Sequence, residues 1–452
     1  MAIKFSTSSE QSIKRRTIDY VLLAAVALLA MVGFLIVVSA VSGLSFGGEV
    51  VKKHLIALPL GALAFLFGWL FNYQIYNEQY KALYAMVLAL LIGVLVFGIV
   101  SRGSNSWFRV GFLSMQPAEF CRIATILIAA AFLANHHKTI KEFKTLLYIG
   151  LIVLPIFALI MKQPDFSSIV VTAPALLVLL YAAGVNTFYF ALIFAFALTA
   201  GIFPILWTFI SMNPASIESS KILYLVWQLS HSWVYITGFC LIILALCWFV
   251  WWGLRQFRLY VPVIFLFIMA GIILAGFFTG LLVDKQIKPY QRKRVEAFLA
   301  PKSDPKGAGY NVLQAQIAMG SGGVLGKGFF SGTQSRLGFV PERHTDFILA
   351  VLGEEAGLLG TLGVLGLYII VLWRIALIAA LASDRYGYLV CCGIFGIFLT
   401  YMIINFGMLI GILPVAGIPL PLISYGGSNL VASMWAFGVV ESVYKRRLTV
   451  IA

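Results

Sequence analysis

Long apolar runs dominate the chain and alternate with short polar connections. Twelve of these runs are close to the length of about 20 residues that an α-helix needs to cross a bilayer. They cover residues 18–41, 53–71, 80–100, 117–135, 144–161, 166–184, 187–209, 233–252, 259–282, 346–373, 387–411 and 421–443. The pattern therefore predicts an all-α polytopic membrane protein with about twelve transmembrane helices.

Composition indicates the same class of protein. Of the 452 residues, 61% are hydrophobic and only 11% are charged, a balance that soluble domains do not have. The five cysteines all lie within apolar runs and lack the spacing of a metal site or a disulfide framework. We interpret them as small hydrophobic residues; they are Cys121, Cys240, Cys247, Cys391 and Cys392.

Positive charges predict the orientation in the membrane. Lys14, Arg15 and Arg16 precede the first run, which is too long for a signal-peptide core and lacks a small-residue cleavage site. With a cytoplasmic N-terminus, the inner segments carry fifteen Lys and Arg and the short outer segments carry six, as the positive-inside rule requires. Both termini are therefore predicted to be cytoplasmic, and the long loop 283–345 is predicted to be external.

This external loop carries ten Lys and Arg. A basic loop beside the bilayer suits an anionic partner such as a phosphate-bearing lipid. The alternative is that the cations only balance lipid head groups.

Two polar clusters lie at the starts of apolar runs. In MQPAEFCRI, Glu119 and Arg122 stand three residues apart and so share one helix face. Ionisable residues in a spanning helix usually pair or face a cavity, so this is either a structural ion pair or the polar wall of a substrate cavity. In KQPDFSS, Asp165 follows a proline in a short turn, and Ser167 and Ser168 are close by, which favours a helix-capping role.

The external loop contains the third cluster. Asp304 stands in SDPKGAG near Arg292, Arg294, Lys302 and Lys306, and nearby cations favour an ionised carboxylate. Such a carboxylate can act as a general base or bind a divalent cation, although composition alone favours a turn-forming Asp-Pro. Further along, GSGGVLGKG offers backbone N–H groups for a phosphate but lacks the spacing of a P-loop.

Two further stretches flank the tenth and twelfth runs. LPVAGIPLPLISYGGSNL contains Ser424 and Tyr425 and is rich in Pro and Gly, so it is either a kinked helix or a re-entrant segment that lines a site. GFVPERHTDF contains Glu342, His344 and Asp346, whose spacing matches no standard metal site. Asp346 is predicted to begin a helix and either to cap it or to interact favourably with the helix dipole. We predict that this stretch supports the external loop over a membrane cavity and lines it.

These motifs and their order resemble the SEDS family (shape, elongation, division and sporulation), and the resemblance covers the first six runs and residues 259–443. The motifs are QPAE…R, QPD, DPKGAGY, AMGSGGVLGKG, PERHTDFILAVLGEEAGLLG and GILPVAGIPLPLISYGGSNL. Among members, GKGFFSGTQSRLGFVPERHTDF is more similar to the elongation branch than to the division branch. The resemblance implies a peptidoglycan glycosyltransferase that polymerises lipid II on the outer face of the bacterial inner membrane and releases undecaprenyl pyrophosphate. The implied partners are a class B penicillin-binding protein, which is the transpeptidase, and elongation-complex proteins; no nucleic acid is expected.

The resemblance also assigns residues. It implies that Asp304 is the essential catalytic residue, which replaces the interpretation as a turn. Glu119 and Arg122 stand where the family has a Glu and a Lys. Asp165, the loop cations and Arg109 join them as candidate substrate-binding residues.

The family resemblance leaves three points open. Arg109 is a candidate substitute for an Arg that the family often has at the position of Ser106. No cofactor is certain, and Mg²⁺ or Mn²⁺ at Asp304 is an alternative to a purely proton-transferring role. Because the family usually has ten spanning helices, we interpret residues 187–252 as an inserted helix pair.

Two rival functions are compatible with the same residues. The charged groups at Glu119, Arg122 and Asp165 could form a polar path for a transporter or lipid flippase, although no inverted repeat is visible in the chain. The other rival is a noncatalytic scaffold for the transpeptidase.

Overall fold

The computed structural model describes most of the chain. The described residues are 17–101, 104–110, 113–212, 220–258, 262–286, 289–300, 308–340 and 342–448. They form two compact units, the first from residues 1–185 and 314–452 and the second from residues 186–313. The chain crosses between the units twice, at residues 185/186 and at residues 313/314, and each unit is described by itself below.

The described residues contain seventeen α-helices and one small β-sheet. The helices are α1 (Tyr20–Val41), α2 (Gly47–Leu70), α3 (Tyr73–Glu78), α4 (Tyr80–Phe97), α5 (Pro117–Asn135), α6 (Phe143–Lys162), α7 (Phe166–Ala183), α8 (Thr187–Met212), α9 (Lys221–His231), α10 (Trp233–Gln256), α11 (Val263–Gln286), α12 (Pro289–Leu299), α13 (Ala308–Ser321), α14 (Thr333–Arg336), α15 (Ile348–Ala380), α16 (Arg385–Leu409) and α17 (Gly427–Lys445).

Eleven of the described helices are long and apolar enough to cross a membrane, namely α1, α2, α4 to α8, α10, α11, α15 and α16. These eleven match the first eleven predicted spans within a few residues at most ends, and the all-α polytopic fold class is confirmed. The predicted twelfth span, 421–443, is shifted. Its helix α17 begins only at Gly427, because the prolines of residues 413–426 interrupt helical hydrogen bonding.

The first unit is built around α5, nearly all of whose residues are buried. Helix α17 packs along α2, α16 packs on α7 and α5, and α15 packs on α16 and α1. Close approach between α2 and α17 depends on glycine, since a Cβ at Gly68 would lie 2.7 Å from the carbonyl oxygen of Trp435. This packing brings the starts of α5 and α7 together with the middle of α16 and the start of α17.

Irregular backbone follows α16 over residues 410–426, and its second half, from Ile418 to Ser424, is largely buried in the first unit. Ile418, Leu420 and Leu422 are almost fully enclosed, and a Cβ at Gly33 of α1 would lie 2.0 Å from the carbonyl oxygen of Leu422. Protein groups satisfy its backbone: the hydroxyl of Ser424 accepts from the N–H of Leu420 at 2.9 Å. The segment is therefore not a kink within one helix, and it meets the condition under which irregular backbone exists at membrane depth.

A three-stranded antiparallel sheet connects α4 and α5. Its strands are β1 (Ile99–Ser101), β2 (Ser104–Val110) and β3 (Leu113–Met115), in the order β1-β2-β3. Arg109 lies exposed on β2, opposite Ser114 of β3. The sequence pattern did not predict this sheet, because β1 was counted as the end of a spanning run.

The second unit contains α8 to α12. Helix α8 packs on α11, and α10 packs on α11 and α9. Its core is aromatic: Phe277 is fully buried against Trp207, Leu229 and Ile236. The indole N–H of Trp207 donates to the carbonyl oxygen of Val226 at 2.8 Å. The unit extends beyond residues 187–252, so the inserted helix pair remains a prediction.

Candidate functional site

The polar cluster of the first unit begins at the N-terminus of α5. Pro117 occupies the first turn of the helix, where its missing N–H costs nothing. Glu119 lies in the same turn, where a carboxylate is favoured by the helix dipole. One turn later, Arg122 points to the same side, and both side chains are buried, at 7% and 3% exposure.

The carboxylate of Glu119 accepts hydrogen bonds from three residues. Its Oε2 lies 3.0 Å from Nη1 of Arg122, 3.0 Å from Nδ2 of Asn429 and 3.3 Å from the hydroxyl of Tyr401. Asn429 also donates to that hydroxyl at 2.8 Å. Three helices, α5, α16 and α17, therefore meet at a single buried carboxylate.

Arg122 extends the cluster to α7. Its Nη2 donates to the hydroxyl of Ser168 at 3.0 Å, and that hydroxyl donates to Oδ2 of Asp165 at 2.7 Å. The guanidinium also lies 5.2 Å from the ring centre of Tyr401, within the range of a cation–π contact. One guanidinium thus binds the carboxylate of Glu119 directly and is linked to that of Asp165 through Ser168, and α7 joins the other three helices.

Asp165 is the N-cap of α7, as the sequence predicted. Its Oδ1 accepts from the backbone N–H of Ser168 at 3.2 Å, and its Oδ2 accepts from the amide of Gln116 at 2.7 Å. Gln116 in turn donates its backbone N–H to Ser428 at 2.9 Å. Asp165 therefore both caps a helix and ties it to the residues just before α5.

A small, partly open cavity of about 10 Å³ adjoins the cluster and is lined by Glu119, Arg122, Ile123, Ile397, Phe398, Tyr401, Ala432 and Ser433. This space is about what one water molecule needs, and it is far too small for a sugar. In this structure the geometry favours the structural ion pair, one of the two alternatives left open by the sequence. Binding of a substrate group by Glu119 and Arg122 remains a prediction.

The stretch before α15 contacts the irregular segment. The backbone N–H of Tyr425 donates to the carbonyl oxygen of His344 at 2.9 Å, and the two rings lie 5.7 Å apart. The neighbouring Arg343 is buried, and its Nε donates to the carbonyl oxygen of Ala40 at 2.6 Å; burial lowers the pKa of this guanidinium. Glu342 is exposed and adopts a positive φ of 48°.

The prediction that Asp346 begins and caps α15 is wrong, whereas a favourable interaction with the helix dipole stays a prediction. The helix begins at Ile348, and its N-cap is Phe347, which makes no side-chain capping hydrogen bond. The turn over residues 342–347 instead closes through the carbonyl oxygen of Glu342, which accepts from the N–H groups of Thr345 and Asp346 at 3.1 Å. This turn therefore places Phe347, and not Asp346, at the N-cap position of α15.

Glu354 forms the second polar centre of the first unit. Its fully buried carboxylate accepts from the ammonium of Lys327 at 2.9 Å, from the hydroxyl of Thr333 at 3.1 Å, and from the N–H groups of Gln334 at 2.8 Å and Ser335 at 2.9 Å. The last two belong to the first turn of α14. One carboxylate thus fastens a loop of the chain to α15.

The glycine-rich stretch 320–328 packs on the backbone of α15. The N–H groups of Lys327 and Gly328 donate to the carbonyl oxygens of Glu354 and Glu355 at 3.0 and 2.9 Å. Gly326 has a φ of 81°, and its Cβ would lie 2.1 Å from the carbonyl oxygen of Glu355. These two N–H groups are therefore committed within the protein, which argues against the phosphate cradle considered from sequence.

Replacing Lys327 by methionine should lower the stability of the first unit. The change removes the ammonium that pairs with the buried carboxylate of Glu354, and a hydrogen bond to a charged group contributes about 2 kcal/mol. Thermal unfolding in detergent measures the effect. Lys327→Arg should unfold near the wild-type temperature, as should Lys293→Met, which changes an exposed lysine of α12. Equal unfolding temperatures for Lys327→Met and Lys293→Met would contradict this role.

The remaining predicted site residues lie elsewhere. In the second unit, Nη2 of Arg292 pairs with Asp284 at 2.8 Å, and Arg294 is half-buried on the same helix. Asp304, Lys302 and Lys306 lie outside the described residues. Among the described residues, no group of three or more His, Cys, Asp or Glu side chains could hold a metal ion. Asp304 as a metal ligand remains a prediction.

Sequence reasoning missed several members of the two polar centres. Tyr401 and Asn429 are polar positions in mostly apolar helices, a signal that could have marked them as buried partners. Lys327 was considered only as part of a glycine-rich motif. Its partner Glu354 lies 27 residues away, so spacing along one helix could not connect them.

Comparison with known proteins assigns the family. The family model described as cell cycle protein, FtsW/RodA/SpoVE, matches residues 19–226 and 228–448. The chain is 33% identical to the peptidoglycan glycosyltransferase RodA of Treponema pallidum over 446 residues, which cover 95% of this chain and 98% of the relative. It is also 33% identical to the peptidoglycan glycosyltransferase MrdB of Escherichia coli K12 over 374 residues, which cover 83% of this chain and 80% of the relative.

Solved structures of related proteins share the fold of this chain. A chain of a peptidoglycan synthase complex that coordinates polymerization and crosslinking superposes with a TM-score of 0.65 and 25% identity, covering 96% of this chain and 99% of that chain. The rod shape determining protein RodA of Thermus thermophilus shares the fold, with a TM-score of 0.58 and 22% identity over 96% of this chain and 98% of that one. The chain is a multi-pass membrane protein that belongs to the SEDS family of FtsW, RodA and SpoVE, as its motifs predicted.

Proposed function

We infer that this protein is a peptidoglycan glycosyltransferase that polymerises lipid II into glycan strands for cell-wall elongation. The observation that carries the inference is the match to a RodA of that activity along nearly the whole length of both chains. Matching over the full length makes a shared activity a stronger inference than fold likeness alone, because one fold hosts many functions.

The proposed reaction joins the 4-hydroxyl of an acceptor GlcNAc to the anomeric carbon of a donor MurNAc. Because an α-linked donor gives a β-1,4 product, the displacement inverts the anomeric carbon in one step, and undecaprenyl pyrophosphate leaves. The step needs a base for the hydroxyl proton and positive charge for the departing pyrophosphate. We assign the base, or the position of a divalent cation, to Asp304.

The positive charge that stabilises the departing pyrophosphate would come from the same loop as Asp304. Arg292, Arg294, Lys302 and Lys306 are the candidates. In the described part of this group, Arg292 is held by Asp284, so engaging a pyrophosphate would require exchange of one anionic partner for another. A pyrophosphate carries more negative charge than a single carboxylate, which favours such an exchange.

The lipid tails of donor and acceptor would lie in apolar grooves between helices. The polar cluster of Glu119 and Arg122 adjoins a cavity of only about 10 Å³, so substrate binding there requires the starts of α5 and α17 to separate. Arg109 is exposed on β2, which precedes α5 in the chain. It is a candidate contact for the head group of the lipid-linked substrate.

The proposed partner is a class B penicillin-binding protein, with other elongation-complex proteins. Support comes from the structural neighbour, which is a chain of a peptidoglycan synthase complex. The proposed location is the bacterial inner membrane, with both termini cytoplasmic and Asp304 on the outer face. The excess of Lys and Arg in the predicted inner segments supports this orientation.

Reconstitution with lipid II tests the function. The purified protein, with its transpeptidase partner in liposomes, should convert lipid II into glycan polymer resolved by gel electrophoresis. Parallel vesicles with labelled lipid II on one leaflet report transbilayer movement. Transbilayer movement without polymer would favour a flippase, and full partner binding without either activity would favour a scaffold; both outcomes would overturn the proposal.

A further inference from the structure

The loop between α13 and α15 displays an unusual amount of exposed apolar surface. Six apolar side chains between residues 324 and 339 are 43% to 78% exposed; they are Val324, Leu325, Phe329, Phe330, Leu337 and Phe339. We refer to these six side chains as the apolar shelf. The sequence from 323 to 339 contains two cations, Lys327 and Arg336, and no acidic residue. An exposed apolar patch of this kind marks a surface that interacts with a membrane or with another molecule.

The shelf is continuous with the exposed face of a spanning helix. Backbone hydrogen bonds join the N–H of Leu358 to Gly323 at 3.0 Å and the N–H of Leu359 to Val324 at 3.2 Å. They fix the start of the shelf beside α15 at the point where that helix becomes exposed. Up to Gly357 its residues are mostly buried, whereas Leu358, Leu359 and Leu362 are at least half exposed.

Two contacts between α1 and α15 mark the depth of this point. At one end Arg374 of α15 pairs with Asp19, the N-cap of α1. At the other end Glu355 accepts from the hydroxyl of Ser39 at 2.5 Å. Helix α15 is broken at the non-helical residue Gly357, so the depth is measured along α1. Asp19 and Ser39 are 20 residues apart on α1, which is about 30 Å at the rise of an α-helix and equals the rough thickness of the hydrocarbon core.

We propose that the apolar shelf sits in the bilayer interface, with lipid as its occupant. The distance from the Asp19–Arg374 pair places Glu355, and with it residues 323–328, at the opposite edge of the hydrocarbon core. At that depth, apolar side chains reach the acyl chains while cations remain at the head groups. The shelf lies at the same depth as the exposed face of α15 and is continuous with it. Contact with lipid requires this arrangement, whereas contact with a protein partner does not.

The backbone of Phe330 gives independent support. Its φ is 62°, a left-handed conformation that is unfavourable for a bulky residue. Nη1 of Arg336 holds it by donating to the carbonyl oxygen of Phe330 at 3.0 Å. The chain thus maintains a costly conformation at a residue whose ring is 43% exposed, which is understandable if that ring has a nonaqueous environment to enter.

Spin labelling in liposomes tests the proposal. In a full-length protein with its five cysteines replaced by alanine, a nitroxide is attached at Leu325→Cys or at Leu337→Cys. Leu362→Cys on the exposed face of α15 serves as the lipid reference and Lys138→Cys, which is exposed in the connection after α5, as the water reference. Power saturation compares collisions with oxygen, which concentrates in lipid, and with a water-soluble nickel complex.

Both shelf positions should resemble the lipid reference. Their ratio of oxygen to nickel collisions should be several-fold higher than at Lys138→Cys. A ratio equal to that of the water reference at both positions would overturn the proposal. So would a water-like ratio that becomes protected from both reagents only after the transpeptidase partner is added, because the shelf would then be a protein interface.

Discussion

Replacing Asp304 by alanine is expected to abolish lipid II polymerisation. If this carboxylate removes the proton of the acceptor hydroxyl, its loss should cost about 10²- to 10⁴-fold in rate. The same substitution would also eliminate a divalent cation that the carboxylate held. Polymer formation by the purified variant with its transpeptidase partner, at several lipid II concentrations, is the measurement.

A matched carboxylate provides the control. Glu296 lies on α12 of the same loop and is half-buried, so Glu296→Gln removes a similar charge without touching the proposed base. It should polymerise lipid II at close to the wild-type rate, and Asp304→Asn should be as inactive as Asp304→Ala. If Asp304→Ala were fully active while a folded Asp346→Ala variant made no polymer, the two roles would have to be exchanged.

Replacing Arg122 by alanine should destabilise the first unit by about 3 to 5 kcal/mol, the usual cost of removing one partner from a buried ion pair. Glu119 and Asp165 would be left buried without the guanidinium that now links them. The loss of stability should appear as a lower unfolding temperature in detergent. Polymerisation should fall with it, because α5, α7, α16 and α17 meet at this cluster.

Two further variants distinguish the effect of charge from that of side-chain shape, and a structural role of the pair from a role in substrate binding. Arg122→Lys keeps the charge but not the planar fork that reaches Glu119 and Ser168 together, so its unfolding temperature should lie between those of alanine and wild type. Changing Glu119→Gln and Arg122→Met together removes both charges of the pair, while Asp165 keeps its hydrogen bonds from Gln116 and Ser168. The double variant should therefore lose less stability than Arg122→Ala. If this double variant is stable but makes no polymer, the pair acts on substrate; if it is stable and active, the pair is structural.

The spanning helices could be predicted because hydrophobic length alone specifies them. Helix α5 was predicted to the residue: Pro117 fits the first turn of a helix, and polar residues follow Asn135. Helix α17 was placed six residues too early. There the apolar sequence contains three closely spaced prolines, Pro414, Pro419 and Pro421. Hydropathy does not register that each removes a backbone N–H donor, which together disfavour a helix.

The sites were only partly predictable, for a different reason. Glu119 and Arg122 lie on one helix, so a spacing of three residues already places them on one face. Tyr401 and Asn429, which complete the cluster, are 282 and 310 residues from Glu119, and only tertiary packing brings them close. The same holds for the distant partners Lys327 and Glu354.

The contact between Asp19 and Arg374 has a consequence for how the protein is made. The two residues are 355 positions apart, and at ribosomal rates that separation is about 20 to 70 seconds of synthesis. During this interval α1 is already in the membrane, and its capping aspartate has no arginine to pair with. Helix α1, the first to be inserted, therefore makes its contact with Arg374 only after the tenth predicted span has been synthesised. Chains that stop before α15 should leave α1 exchanging between lipid and the insertion machinery, and exposed to quality-control proteolysis.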